Sequence, residues 1–115
     1  MREISVGKNL TGGVKTTIYT VPTGYYAKWN LLYVSNHAGV NQTVTAAWYD
    51  SSTNTEVIVI DAYPLDPKSF LKFDGGAYVV LEEGDQIRVT SQSGSTMSCI
   101  ATLEVSTQKT TSLKG

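Results

Sequence analysis

The sequence has little of what metal binding, covalent crosslinking or membrane insertion requires. Its 115 residues include one cysteine, one histidine and three prolines. A single cysteine excludes a disulfide within the chain, and one histidine with one cysteine is too few for a zinc site. No run approaches the ~20 apolar residues of a membrane helix. We therefore expect a core formed by apolar packing alone, with no metal, no cofactor and no membrane partner.

Charge is also sparse and evenly mixed. Nine basic and ten acidic residues give a net charge of −1, and no two basic residues are adjacent. Nucleic-acid binding requires clustered Lys and Arg to neutralise phosphates, so we expect no nucleic-acid partner. The first residues, Met1-Arg-Glu-Ile-Ser5, lack the apolar segment of a signal peptide. We expect a soluble protein that is made in the cytoplasm.

The positive signal is a series of short β-type runs about ten residues apart, each closed by turn residues. This spacing predicts an all-β fold, an antiparallel two-sheet β-sandwich that is jelly-roll-like, with a closed barrel as the alternative. We predict eight strands, over Val14–Val21, Ala27–Asn36, Gln42–Asp50, Thr55–Asp61, Lys68–Phe73, Ala77–Leu81, Gln86–Gln92 and Met97–Ser106.

Turn chemistry separates these runs and sets the domain limits. Pro22-Thr-Gly24 and Asp74-Gly-Gly76 are predicted turns. Pro64 and Pro67 are predicted to bracket a polar connection, because proline cannot donate to a ladder. The chain then divides into a lead over residues 1–13, one sandwich domain over 14–106 and a polar tail over 107–115.

Acidic residues are the main candidates for chemistry. Glu82, Glu83 and Asp85 surround Gly84. A glycosidase needs two carboxylates across a substrate, and a calcium site needs several converging oxygens. The same four residues also fit a solvated β-turn, which we favour. Because no serine lies in a Gly-x-Ser-x-Gly motif and His37 is predicted in a turn, we expect no enzyme and no catalytic residue.

Larger side chains indicate the core and one candidate contact. Trp29, Trp48 and Cys99 fall on apolar faces of predicted strands, so we expect them to be buried. Tyr25 and Tyr26 follow a turn and are hard to bury as a pair. An exposed tyrosine there is either ordinary surface, an interface anchor or a platform for a sugar.

Several of these sequence segments resemble segments of a group of small tailed-bacteriophage virion proteins. The matching segments are Thr17-Ile-Tyr-Thr-Val-Pro-Thr-Gly24, the strand that ends in Tyr33-Val-Ser-Asn36, Val44 to Asp50, and Leu81-Glu-Glu-Gly-Asp-Gln-Ile-Arg-Val89. The resemblance covers residues 14–105, and its motifs are turn and core motifs. The chain departs from the group at Tyr25-Tyr26 and Trp29, where smaller or charged residues are usual.

The resemblance implies a head decoration (cement) protein. Such a protein would bind the major capsid protein on the outer surface of the phage head and stabilise the shell, as a homotrimer. The lead over residues 1–13 would reach a neighbour, which makes its apolar residues Ile4, Val6 and Leu10 candidate interface residues beside Tyr25 and Tyr26. The alternative is a tail or fibre component that binds a receptor or glycan.

Overall fold

Two antiparallel sheets make up the part of the chain that the computed structural model describes, residues 2–73 and 79–107, and no helix occurs in those ranges. The strands in chain order are β1 (Arg2–Thr11), β2 (Lys15–Thr20), β3 (Tyr25–Asn36), β4 (Gln42–Asp50), β5 (Thr55–Leu65), β6 (Phe70–Phe73), β7 (Val79–Leu81), β8 (Gln86–Ser91) and β9 (Thr96–Thr107).

Strand order identifies the sandwich type. Sheet A has the order β1-β9-β3-β6, with β7 also paired to β3, and sheet B has the order β2-β8-β4-β5. β6 pairs with β3 over Leu32–Ser35 and β7 over Ala27–Trp29, so the two are successive segments along one edge. Counted as one strand, they leave eight strands in the order 1-8-3-6 and 2-7-4-5. This is a jelly roll, which confirms the predicted fold class.

Alternating side chains form the core between the sheets. On β9, the residues Met97, Cys99, Ala101 and Leu103 are each at most 2% exposed. On β3, Trp29 is 4% exposed, so its predicted burial is confirmed. The remaining long strands also contribute buried apolar residues, so the core is one continuous cluster. These residues include Ile18, Val44, Ala46, Ile87 and Val89.

The lead over residues 1–13 is where the structure departs most from the prediction. Arg2–Thr11 is a strand of the sandwich itself, paired with β9 in unbroken register from Arg2↔Val105 to Thr11↔Thr96. The prediction of an arm outside the domain is therefore wrong for these residues. Only three of its positions alternate as apolar residues (Ile4, Val6, Leu10), and Gly7 and Lys8 hide the pattern.

Pro64 also lies inside a strand rather than in a connection. β5 continues to Leu65, and Pro64 pairs with Thr43. β5 is an edge strand of sheet B, so one of its sides has no neighbouring strand. Proline is tolerated in edge strands because an N–H on that side is not needed for a ladder bond. The strand Gln42–Asp50 has the predicted bounds. Most of the other strand ends differ from their predictions by one or two residues. The predicted turn at Asp74-Gly-Gly76 and the tail beyond Thr107 lie outside the described residues.

Candidate functional site

The sandwich core is open at one end, and the opening forms a groove. On the inner face of sheet A, Ile4 pairs with Leu103 and Arg2 with Val105. Leu103 is fully buried, whereas Ile4 and Val105 on the same face are only partly buried. The result is a groove of about 330 Å³, which we call the end groove; it is lined by Arg2, Ile4, Tyr19, Pro22, Tyr25 and Val105.

The end groove combines an apolar wall with two phenols and a guanidinium. Ile4 and Val105 both pack partly against the core. Partial burial, and then the neighbouring phenol of Tyr25, raise the pKa of Tyr19 above its ordinary value. Tyr19 is therefore neutral at physiological pH, and the two tyrosines serve as amphipathic rings. A groove of this composition suits an apolar side chain or a sugar ring with a polar or anionic group beside it.

Two turns hold the floor of the end groove. The turn between β2 and β3 carries Pro22, and the N–H of Tyr25 bonds back to the Pro22 carbonyl at 3.1 Å. The turn over residues 82–85 binds this first turn, because the N–H of Gly24 donates to Oε1 of Glu83 at 2.8 Å. Backbone bonds between Val21 and residues 84 and 85 complete the junction. The groove is therefore rigidly supported on this side.

This junction also explains the acidic cluster. Asp85 is 1% exposed, and its carboxylate accepts bonds from Trp48 Nε1, Ser51 N, Ser51 Oγ and Glu82 N at 3.0–3.1 Å. The residues form a turn as favoured, but Asp85 is buried rather than solvated. All its lone-pair directions are used within the chain, so it has none left for a ligand.

His37 meets two serines on the outer surface of sheet A. Its Nε2 lies 2.9 Å from Ser98 Oγ and 3.2 Å from Ser35 Oγ. A hydrolase would also need a group that orients the imidazole and donors for an oxyanion. Within residues 2–73 and 79–107, no carboxylate hydrogen-bonds this imidazole. The cluster is a hydroxyl network on a sheet surface, and we assign it no catalytic role.

The five candidate interface residues separate into different places. Tyr25 and Ile4 line the end groove together. Tyr26 is 37% exposed and pairs with Ser106, on the opposite side of sheet A from Tyr25. Val6 packs partly against the core, and Leu10 is only 8% exposed. Leu10 is thus a core residue, because its strand belongs to the sandwich.

No pattern in the sequence predicted four residues of the end groove: Arg2, Tyr19, Pro22 and Val105. They come from three separate parts of the chain, residue 2, residues 19–22 and residue 105, and no local motif joins those parts. The one available signal was Tyr19, which lies only six residues before Tyr25 on the far side of a turn. Their meeting depends on β1 pairing with β9, which the sequence pattern did not indicate.

The remaining candidates for chemistry give no second site. Burial raises the pKa of the Cys99 thiol to about 11, so it is protonated and inert at neutral pH. Among the described residues, no three His, Cys, Asp or Glu side chains are grouped to hold a metal ion. In that same part of the chain, no helix is long and apolar enough to cross a membrane.

Two solved structures are similar to this chain. A solved pilus protein of Bacillus endospore appendages, described as forming disulfide-linked pili, matches with a TM-score of 0.56 at 12% identity; the match covers 94% of this chain and 87% of that one. The globular domain of zebrafish complement 1qA matches with a TM-score of 0.49 at 13% identity, over 89% and 94% of the two chains. No protein-family model and no curated protein matches the sequence. The strand order, together with the likeness in fold to the pilus protein, defines the class as a two-sheet jelly-roll β-sandwich.

Proposed function

We propose that this chain is a non-enzymatic structural protein of a tailed-phage virion, which decorates the outer surface of the head and stabilises the shell. The resemblance over residues 14–105 supports the virion assignment, and it implies the major capsid protein as partner. The observation that supports a contact with the capsid protein is the end groove, an opening of the core that is lined by Ile4 and Tyr25. The chain would be made in the host cytoplasm and act on the assembled particle.

The end groove has the properties of a socket for a side chain from another protein. Its walls extend the inter-sheet core, so an apolar side chain placed there adds to an existing packed surface. Arg2 at its margin supplies donors for a carboxylate or carbonyl of the same partner. Many copies on one shell would multiply a modest contact, which suits a protein that stabilises a lattice.

Assembly would be non-covalent. The pilus protein of similar fold is described as disulfide-linked. Here the one cysteine is 1% exposed between the sheets, and burial raises the pKa of its thiol and holds it protonated. Attachment through Cys99 would require the sandwich to open.

Tyr25 and Tyr26 offer a matched test of the socket. They are adjacent and nearly equally exposed, at 38% and 37%, but only Tyr25 lines the groove. Heads that lack the protein are incubated with wild type, Tyr25→Ala or Tyr26→Ala, and bound protein is quantified. We expect Tyr25→Ala to lose binding and Tyr26→Ala to retain it. Equal binding by all three would remove the groove from the contact.

Copy number tests the decoration role itself. Quantitative mass spectrometry of purified particles should give a ratio to the shell protein near one, or a simple fraction of it. Heads without this protein should form but rupture at a lower temperature. Unchanged rupture, or only a few copies per particle, would overturn the decoration role.

A receptor- or glycan-binding module on a tail or fibre is the second candidate function. The two tyrosines beside Arg2 favour it, because aromatic faces stack on sugars and a guanidinium binds acidic substituents. A glycan array with wild type and Tyr25→Ala decides this alternative. Binding that Tyr25→Ala abolishes would support it, and a blank array across host surface sugars would reject it.

A further inference from the structure

The outer surface of sheet A carries exposed apolar side chains at its centre. Ile100 on β9 is 43% exposed and pairs with Tyr33 on β3. Phe70 on β6 is 57% exposed and stacks on Tyr33, with ring centroids 5.1 Å apart and planes 5° apart. We call this surface the A face. With the stacked rings of Tyr33 and Phe70, it is an aromatic patch of the kind at which binding energy is concentrated.

The outer surface of sheet B also exposes an isoleucine, Ile58, but paired charged side chains lie on the same surface. Glu56 there accepts bonds from Lys15 and Arg88 at 2.9–3.1 Å, and Arg88 lies 3.9 Å above the ring of Tyr49. Those charges are satisfied within the chain and remain hydrated. On the A face, Tyr33 lies beside Lys72 of β6 in the β3–β6 register, and Ile100 and Phe70 remain exposed.

The hydroxyl groups near the centre of the A face are already paired. Ser5 and Thr102 share a hydrogen bond of 2.9 Å between their hydroxyls, and Ser35 and Ser98 share one of 3.0 Å. Hydroxyls that are already paired lose little when water is removed from them. Across the lower part of the face, Lys28 lies opposite Glu104 in the β3–β9 register, with Nζ 3.8 Å from Oε1.

The β3–β9 register makes this surface complementary to itself. Consider two copies packed face to face, with a two-fold axis parallel to the strands and running between β3 and β9. The axis places each residue of β3 over its own register partner on β9 of the other copy. Tyr33 then meets Ile100 of the second copy, and Lys28 meets Glu104 of the second copy, in both directions. Isologous interfaces of this kind are closed.

Another axis does not achieve this match. A two-fold axis across the strands through the Tyr33–Ile100 row places Tyr33 on Tyr33 and Ile100 on Ile100. It also moves Lys28 and Glu104 away from their counterparts, since they lie to one side of that row. Only the axis along the strands brings opposite charges together while it covers the apolar centre. Sheets packed in this way stay within about 30° of alignment.

We propose that a second copy of this chain covers the A face, in a dimer whose two-fold axis runs along the strands between β3 and β9. Tyr33 and Ile100 form its centre, Phe70 extends it, and two reciprocal Lys28–Glu104 contacts set its register. The dimer replaces the trimer that the family resemblance implies. It does not depend on the proposed function, because the end groove opens at another part of the molecule.

The first test is the native mass of the full chain by light scattering after size-exclusion chromatography. We expect twice the chain mass for wild type and a monomer for Ile100→Lys. Ile58→Lys is the matched control, because Ile58 is 53% exposed on the outer surface of sheet B; it should stay dimeric. Circular dichroism verifies that each variant is folded. A monomeric or trimeric wild type, or a dimeric Ile100→Lys, would overturn the proposal.

The register is tested by mixing two charge-reversed variants. Lys28→Glu alone places a second carboxylate against Glu104 of the other copy, and Glu104→Lys alone places a second ammonium against Lys28 of the other copy. Each change should weaken the dimer roughly tenfold. In a mixed dimer every contact between the copies is attractive again, whereas the pair within each chain stays repulsive. We therefore expect mixing to restore the affinity, and failure of the mixture to recover would reject this register.

The two proposals fail separately. A monomeric protein that binds heads through Tyr25 overturns the dimer and leaves the shell contact in place. A dimer that does not bind heads overturns the shell contact and leaves the dimer in place.

Discussion

Trp48 donates its indole N–H to the buried carboxylate of Asp85, with 3.1 Å between Nε1 and Oδ2. The bond joins the end of β4 to the turn before β8. The same carboxylate accepts from Ser51 and from the N–H of Glu82, so one side chain joins residues 48–51 to the turn over residues 82–85. Since Glu83 of this turn binds Gly24 beside the end groove, the bond stabilises the fold and the candidate site together.

Asp85→Asn is expected to lower the free energy of unfolding on the order of 3 kcal/mol, because its new amide points N–H groups at existing donors. Glu83→Gln is the matched control on the same turn. Its amide oxygen still accepts the Gly24 N–H, so we expect a change below about 0.5 kcal/mol. Urea unfolding followed by tryptophan fluorescence measures both. Equal losses in the two variants would mean that Asp85 is not the central acceptor.

Trp48→Ala is expected to cost about 3–5 kcal/mol, because the ring packs against the core and its loss leaves Asp85 with one bond fewer. Ile58→Ala, at an exposed position one strand away, should cost less than about 1 kcal/mol. Thermal or chemical unfolding compares the two. A loss below about 1 kcal/mol for Trp48→Ala would contradict its placement on the inner face of sheet B.

Alternation with a period of two made most of the fold predictable. Val44, Ala46 and Cys99 are buried as expected, whereas Trp48 points inward but is only partly buried. What alternation did not supply was the role of polar residues inside the structure. Asn36 is the predicted last residue of a strand, and the pattern gave no sign that it is 1% exposed and donates to the carbonyls of Val40, Leu65 and Asp66. A buried amide and an exposed loop amide look alike in a sequence.

The candidate site was predictable only in part, for a similar reason. Tyr25 was identified because two tyrosines in succession after a turn are hard to bury together. Ile4 was identified too, but as part of an arm, because an edge strand with a glycine and a lysine in it has weak alternation. The groove exists only because β1 closes against β9, and long-range pairing of this kind leaves no local signal.

Leu10→Ala tests whether β1 belongs to the domain. Leu10 is a core residue opposite Met97, so truncation should cost about 2–4 kcal/mol. Asn9→Ala is its neighbour on the exposed side and should cost less than about 0.5 kcal/mol. The comparison is made by chemical denaturation. A neutral Leu10→Ala would restore the idea of an independent arm.

Gly84→Ala should destabilise the protein more than Gly94→Ala. Both glycines have a positive φ, +85° and +79°, so each substitution strains the backbone by about 1 kcal/mol. A Cβ on Gly84 would also lie 2.7 Å from Ser51 Oγ, whereas one on Gly94 meets nothing within 4 Å. Ser51 cannot yield freely, because its hydroxyl donates to Asp85. The difference in unfolding free energy isolates the contact, and equal losses would show that Ser51 moves aside.

Alkaline pH should unfold the wild type more readily than Cys99→Ala. Burial raises the pKa of Cys99 from 9.0 to about 11, so the unfolded chain releases this proton first as pH rises. The stabilisation is complete below pH 9 and is lost by about pH 11, and a difference of this size corresponds to roughly 3 kcal/mol. Tyr19, whose pKa is also raised, adds a further decline above about pH 10 in both proteins. Urea midpoints measured from about pH 8 to pH 11 separate the effect of the thiol from that of the phenols. We expect the midpoint to fall more steeply with pH in the wild type than in Cys99→Ala. Parallel declines would show that the thiol titrates normally in the folded protein.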